Sequence, residues 1–487
     1  SVLDRRAEYE RKYKHYEEEH WLYPISISTD VALFPFERTY SVDAVYTLSN
    51  KSDTVVNRAL FIEKKPITHI SLERAILINQ DSTHGIFEFE FNSPVLPRDS
   101  VKLTFSANGA HTGLRSGRDL VDNGSFVHLR DFSPYLGYTD NKEITDKAER
   151  KKRGLPDREE EQPSAADFEI MESGFGRINF ETTLSVPASQ TGISVGEMKG
   201  QWTENGRNYY QYKTQSPVAP AITYQSADYT LEQEYFNGIS LEHYYHPGHA
   251  FNNAATMNSM KQTLDYAQKE FGEYPRNHLR ITELPSYWGF GGFATAGTIS
   301  MVEYNFYLVD ERDLKAFSLV AKRTIHEVAH QWWGHILSTQ SLSGGGIFVE
   351  GFAKYTEAVV MEKYYGMHSL YQLSQSANHT YFNGRSYAST LEQPFYLEQG
   401  KHYMLYGKSY IVMIALKELI GEESLNGVLK TLVDRHKNEI DATVTSVEFL
   451  DELYIVTPEE YHYLVDDWFK KIITTFNKVI KNLMFMS

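Results

Sequence analysis

The sequence predicts an α+β chain of more than one domain: a β-rich, sandwich-like N-terminal part followed by a mainly helical part with a small mixed sheet. Three observations carry this. Its 487 residues, 41% hydrophobic and 23% charged, are enough for several ordinary cores. Apolar residues alternate with period two between about 25 and 235. After about 240 the apolar spacing changes to three and four, with glycines and prolines as punctuation.

Residues 1–24 are dense in Arg, Lys and Glu, with Tyr9, Tyr13 and Tyr16 at helical spacing, and predict a solvated, charged lead-in helix. The β-rich domain is expected over 25–238. Its strands are marked by Val42, Ala44, Tyr46 and Leu48, by Phe87, Phe89 and Phe91, by Val101, Leu103 and Phe105, and by Ile178, Phe180, Thr182, Leu184 and Val186. Asn205-Gly206, between Trp202 and Tyr209, is a two-residue hairpin signal. A mixed-charge insertion at about 140–165 predicts an exposed helix and loop, to which no function is assigned.

The second domain is expected over 239–487. Met257, Met260, Leu264, Ala267 and Phe271 predict a buried helix face that Gly272 and Pro275 terminate. Short strands follow between 278 and 305, and one edge of them should border a cleft. A long helix is expected from about 311 to 337, with Leu314, Phe317, Ala321, Ile325, Val328 and Trp332 on its buried side. Further helices are expected at about 350–366, 369–380, 408–420, 423–436 and 446–454, the last capped by Thr445 with Glu448. A final helical stretch should reach Ile480.

The chemistry gathers on His326-Glu327-Val328-Ala329-His330. One helical turn separates His326 from His330, so both imidazoles can reach one metal ion, while Glu327 sits on the flank as a proton acceptor. A catalytic zinc keeps three protein ligands and an open position. Glu350, with nineteen residues between it and His330 and opening the next helix, is the third. Zinc held by two neutral imidazoles and a carboxylate keeps one net positive charge, enough to bring the pKa of water at its open position toward neutrality. Glu357, seven residues past Glu350 and on the same helical face, can orient an imidazole, or it can be a surface glutamate. His335 lies about 140° round the helix from His330 and is read as structural.

These residues, with Glu350-Gly351-Phe352-Ala353 and Tyr406-Gly407-Lys408-Ser409, resemble the gluzincins, the zinc peptidases with two His and one Glu, and among them the aminopeptidase N branch. The chain is also similar to the peptidase portion fused to some bacterial ABC transporter permeases. The resemblance implies a thermolysin-like catalytic domain, one Zn2+ per chain, and hydrolysis of a peptide substrate. It implies that Tyr406 steadies the tetrahedral intermediate, with Tyr403 as the fallback. A strand through Gly291, Gly292, Phe293 and Ala294 should line the substrate cleft. Aminopeptidases of this branch carry a Gly-x-Met-Glu-Asn segment there, whose glutamate grips the substrate's free amino group. Here Ala294 and Thr295 replace Glu and Asn, with Glu283 and Glu303 as unaligned substitutes. Either specificity has changed, or the chain is a catalytically weak or inactive binding or sensor module of a membrane transporter.

Composition narrows the rest. The absence of Cys removes disulfides, thiolate nucleophiles and Cys-type zinc sites. A net charge of −16 argues against a nucleic-acid-binding surface. No apolar run is long enough for a membrane span, so no membrane contact is expected within this chain. The start at Ser1 rather than Met leaves room for a membrane segment outside it. The permease resemblance implies that such a segment would be a membrane-embedded permease portion, with this part as the extracytoplasmic domain of a bacterial membrane protein.

Overall fold

The structure, a computed structural model, describes residues 1–19, 21–111, 117–158, 176–313, 317–338, 344–398, 400–441 and 444–472. They form two compact units that divide between Asp228 and Tyr229. That is ten residues ahead of the expected boundary at 238. Thr230–Phe236 looks like one more strand of the preceding β-rich run, but it pairs with Ile239–Tyr245 and so belongs to the second unit.

In the first unit a seven-stranded sheet is built around Leu22–Phe34, which runs antiparallel to Thr39–Asn50 and parallel to Asn179–Pro187. A three-stranded sheet packs on it, and Tyr224 from that sheet places its hydroxyl 2.9 Å from Thr29 Oγ1. The Asn205-Gly206 hairpin forms with φ of 49° and 74°, and Trp202 stacks on its cross-strand partner Tyr209 at 5.1 Å.

The lead-in segment departs from its expectation. The helix Val2–Tyr13 is not solvated all round: Tyr9, Tyr13 and the following Tyr16 pack on Leu60, Ile62 and Ile86. Tyrosines four and three residues apart make an apolar stripe that outweighs the surrounding charge. The charged insertion is likewise buried in part. Arg150, 1% exposed, pairs with Glu10 at 2.5 and 3.0 Å and so ties the first helix to Lys147–Lys152. The insertion's remainder past residue 158 lies outside the described residues.

The second unit carries a five-stranded mixed sheet in the order Thr230–Phe236, Ile239–Tyr245, His278–Leu284, Thr298–Val302, Gly292–Thr295. Its three middle strands are parallel, and Gly292–Thr295 is an antiparallel edge strand. Helix Asn253–Phe271 is the crossover, buried along Met257, Met260, Leu264, Ala267 and Phe271, and Gly272 ends it at φ 120°.

The metal-motif helix spans Leu319–Ala329, shorter than the expected 311–337. Ser318 caps its start, its hydroxyl accepting from Ala321 N at 3.0 Å. Beyond His330 the chain turns back on itself, with Gly334 at φ 115°. Ala321, Ile325, Val328 and Trp332 are buried as expected, and Leu314 lies outside the described residues. The next helix, Phe352–Tyr365, is entered through a wide π-helical turn, Ile347–Gly351. An aromatic column locks the two helices together: Phe271 against Trp333 at 4.8 Å, Trp333 against Phe352 at 5.3 Å, and Phe352 against Phe449 at 5.0 Å. Helices Met367–Ser386, Ser409–Ile420, Glu422–His436, Ser446–Val456 and His462–Phe469 complete the unit. The stretch expected to reach Ile480 runs past the described residues. Among the described residues no helix is long and apolar enough to cross a membrane.

Candidate metal centre

His326 and His330 face the same side of their helix, with rings 4.8 Å apart and mutually perpendicular. The wide turn before Phe352 brings Glu350 to them. Its Oε2 lies 3.3 Å from His326 Nε2 and 3.8 Å from His330 Nε2, near enough for charge pairing but without an aligned hydrogen bond. One donor atom from each of the three residues lies within 4.8 Å of the others. Two imidazole nitrogens and a carboxylate oxygen, with a buried acceptor atom lacking an aligned donor, fit a divalent ion of zinc's type with one position left open. A π-helical turn carries one residue more per turn than an α-helix, and this extra residue turns Glu350 toward the histidines.

Both imidazoles face a partner on the side away from Glu350. His330 Nδ1 faces Trp333 O at 3.0 Å. His326 Nδ1 faces Glu357 Oε2 at 3.0 Å, and Glu357 is buried with both oxygens accepting from Lys354 Nζ, at 2.7 and 2.9 Å. With Nδ1 toward Glu357, His326 turns its Nε2 toward Glu350, as a carboxylate behind a metal-bound imidazole commonly arranges.

The electrostatics follow. Burial opposes charge on His326, but Glu350 and Glu357 outweigh it and hold the imidazolium up to about 9. Burial also disfavours ionised Glu350, yet the imidazoles of His330 and His326 outweigh it and bring it down to about 2. His326 and Glu350 thus favour opposite charges, and a divalent cation binding between them would displace the imidazolium proton. Glu327 is shifted the other way: burial raises it, only partly offset by His330 and His326. A carboxyl group poised nearer neutrality can both accept and return a proton.

Tyr406 lies in a second π-helical turn, Met404–Lys408, its ring 6.2 Å from that of His326 and stacked on His402 at 4.6 Å. Burial first, then the charge of Glu350, raises its hydroxyl far above the usual range and keeps it a donor. The fallback, Tyr403, is elsewhere, packed on Tyr381 and against the backbone face of Gly384.

The edge strand borders the same pocket. A Cβ added to Gly292 would lie 2.5 Å from Glu327 Oε1, so only glycine lets the strand approach the carboxylate this closely. Gly291 adjoins Arg323, Ala294 O is 3.1 Å from His335 Nε2, and Gln331 bridges Thr295 O and Gly297 N. Thr295 bonds within its own turn to Thr298 O. Glu283 is not a spare anchor, because it is fully buried and accepts from His246 N at 2.6 Å. The spacing of Lys354 three residues before Glu357 is the helix-pair signal by which that cation could have been singled out.

Fold and donor set together define a two-unit chain, β-rich then mainly helical, with a two-histidine, one-glutamate cluster in the second unit. Residues 255–468 match the family model described as Peptidase family M1 domain. The structure of an M1 zinc metallopeptidase from Deinococcus radiodurans is similar at TM-score 0.65 and 15% identity, covering 94% of this chain and 95% of that one. A mutant of the Deinococcus radiodurans enzyme bound to a Tyr-ser-ala substrate is similar at TM-score 0.66 and 15% identity, over 94% and 96%. So is a two-domain M1 zinc metallopeptidase mutant bound to L-tryptophan, at TM-score 0.66 and 14% identity over the same shares. No curated protein matches the sequence.

Proposed function

We propose that the chain is a zinc-dependent peptide hydrolase, aminopeptidase-like in architecture, with one Zn2+ on His326, His330 and Glu350. The observation that carries this is the convergence of those three donors beside a buried glutamate, Glu327, that the edge strand touches at Gly292. Zinc, when bound, supplies a Lewis acid that acidifies water and polarises a carbonyl. The protein supplies the rest. Glu327 takes the proton from the attacking water and returns it to the departing amine. Tyr406 donates its hydroxyl proton in a hydrogen bond to the oxyanion that develops at the scissile carbonyl. Glu357, neutralised by Lys354, keeps His326 in register. The strand through Gly291, Gly292, Phe293 and Ala294 lays the peptide along the pocket by backbone pairing.

With Ala294 in place of a carboxylate, recognition of a free N-terminus loses its counter-ion. N-acetylated and free peptides of one sequence should then be cleaved at rates within about tenfold of each other, roughly the value of one weak polar contact. The experiment is digestion of a peptide library by the native chain and by Glu327→Gln. The variant should keep its zinc and lose at least about 100-fold in rate. Equal product profiles would sink the hydrolase and leave a peptide-binding module.

A further inference from the structure

We propose that His246, His249, Glu283 and Glu303 form a second metal site in the same unit, a closed structural site for a divalent ion of the zinc class. The four residues come from the carboxyl ends of three adjacent parallel strands. His246 and His249 follow Ile239–Tyr245, Glu283 is the penultimate residue of His278–Leu284, and Glu303 follows Thr298–Val302. Ligands of open sheets gather at that end, because side chains leaving neighbouring parallel strands converge there. One donor atom from each lies within 4.8 Å of all the others.

The arrangement has the features of a built site. Glu283 is fully buried and Glu303 half-buried, and both offer their Oε1 to His249 Nδ1, at 2.6 and 3.7 Å. His246 Nδ1 lies 3.5 Å from the same Glu283 oxygen. The other oxygen of each carboxylate is held from outside the cluster. His246 N donates to Glu283 Oε2 at 2.6 Å, and Ser286 Oγ donates to Glu303 Oε2 at 2.5 Å. Both Oε1 atoms are thus aimed inward, as partners behind metal ligands commonly arrange. The His246 ring is further fixed by stacking on Tyr229 at 5.6 Å.

Four ligand atoms around a tetrahedral ion with bonds of about 2.0–2.1 Å stand about 3.3 Å apart. Two of the three measured separations are already within half an ångström of that. The third, the His249–Glu283 hydrogen bond, opens by about 0.7 Å when an ion replaces its proton. Two carboxylates with two neutral imidazoles carry a charge of −2 that a divalent ion cancels, and the two imidazoles favour zinc over the hard cations magnesium and calcium. With all four positions filled by protein, the ion would hold the ends of three strands together and leave no place for a reacting water. It would also fix the start of the loop through Ser286 that leads into the Gly292–Thr295 edge strand.

The test counts zinc per chain after stripping with chelator, reloading with ZnCl2 and desalting, with far-UV circular dichroism as the check on folding. The native chain should hold two ions, His326→Ala/His330→Ala one, His249→Ala one, and the triple variant none. Because the double variant removes the first site, its count stands whatever occupies that site and needs no change among the four proposed ligands. No ion in a folded double variant, or an unchanged count in His249→Ala, overturns the proposal and leaves a buried ion pair.

Discussion

Glu357 shows how much of the site's behaviour rests on residues that never reach the metal position. Its contact with His326 Nδ1 and its two bonds from Lys354 set the ring's orientation. Glu357→Gln keeps the shape and removes the charge, and should weaken zinc binding by about 10–100-fold, read by competition with a chromophoric chelator. The three donors and Glu327 were legible because the separation of His326 and His330 is fixed by the helix itself. Glu357 was only half legible, since a glutamate seven residues along a helix is as often solvated. The cluster of His246, His249, Glu283 and Glu303 was not legible as a cluster, because only the order of the strands brings those residues together.

At the level of elements, the helices Glu422–His436 and Ser446–Val456 are joined by a charged clasp. His436 Nδ1 faces Glu439 Oε2 at 2.7 Å and its Nε2 faces Glu448 Oε2 at 2.9 Å, so both ring nitrogens meet carboxylates. Burial opposes the charged ring, but Glu448 and Glu439 prevail and raise its pKa above 6.5. A proton held more tightly in the folded chain than in the unfolded one stabilises the fold. That contribution is complete below 6.5 and is lost as pH rises through the raised folded value. His436→Gln should therefore lower Tm more at pH 6 than at pH 9, and an equal loss at both would show the clasp to be uncharged. Elements with strong periodicity, such as Asn253–Phe271 and the Asn205-Gly206 hairpin, were readable from sequence. The end of the metal-motif helix was not, because Trp332 and Trp333 continue an apolar pattern after the backbone has turned.

For the whole molecule, the two units have separate cores, and the site lies within the second. Calorimetry should resolve two transitions, and chelation should lower only the one belonging to the unit from Tyr229 onward, since a ligand stabilises what binds it. One merged transition that shifts as a whole would contradict this. The order of a β-rich part before a helical part was legible from the change in period. The division at Asp228 was not, since the strand Thr230–Phe236 has the texture of those before it. The parallel pairing of Leu22–Phe34 with Asn179–Pro187 bears on how the protein is made. During vectorial synthesis the central strand leaves the ribosome with one flank vacant, and more than a hundred residues must emerge before its neighbour arrives. The nascent chain thus carries an open β edge for several seconds at ordinary elongation rates, a window in which a chaperone, or another nascent copy, can claim it.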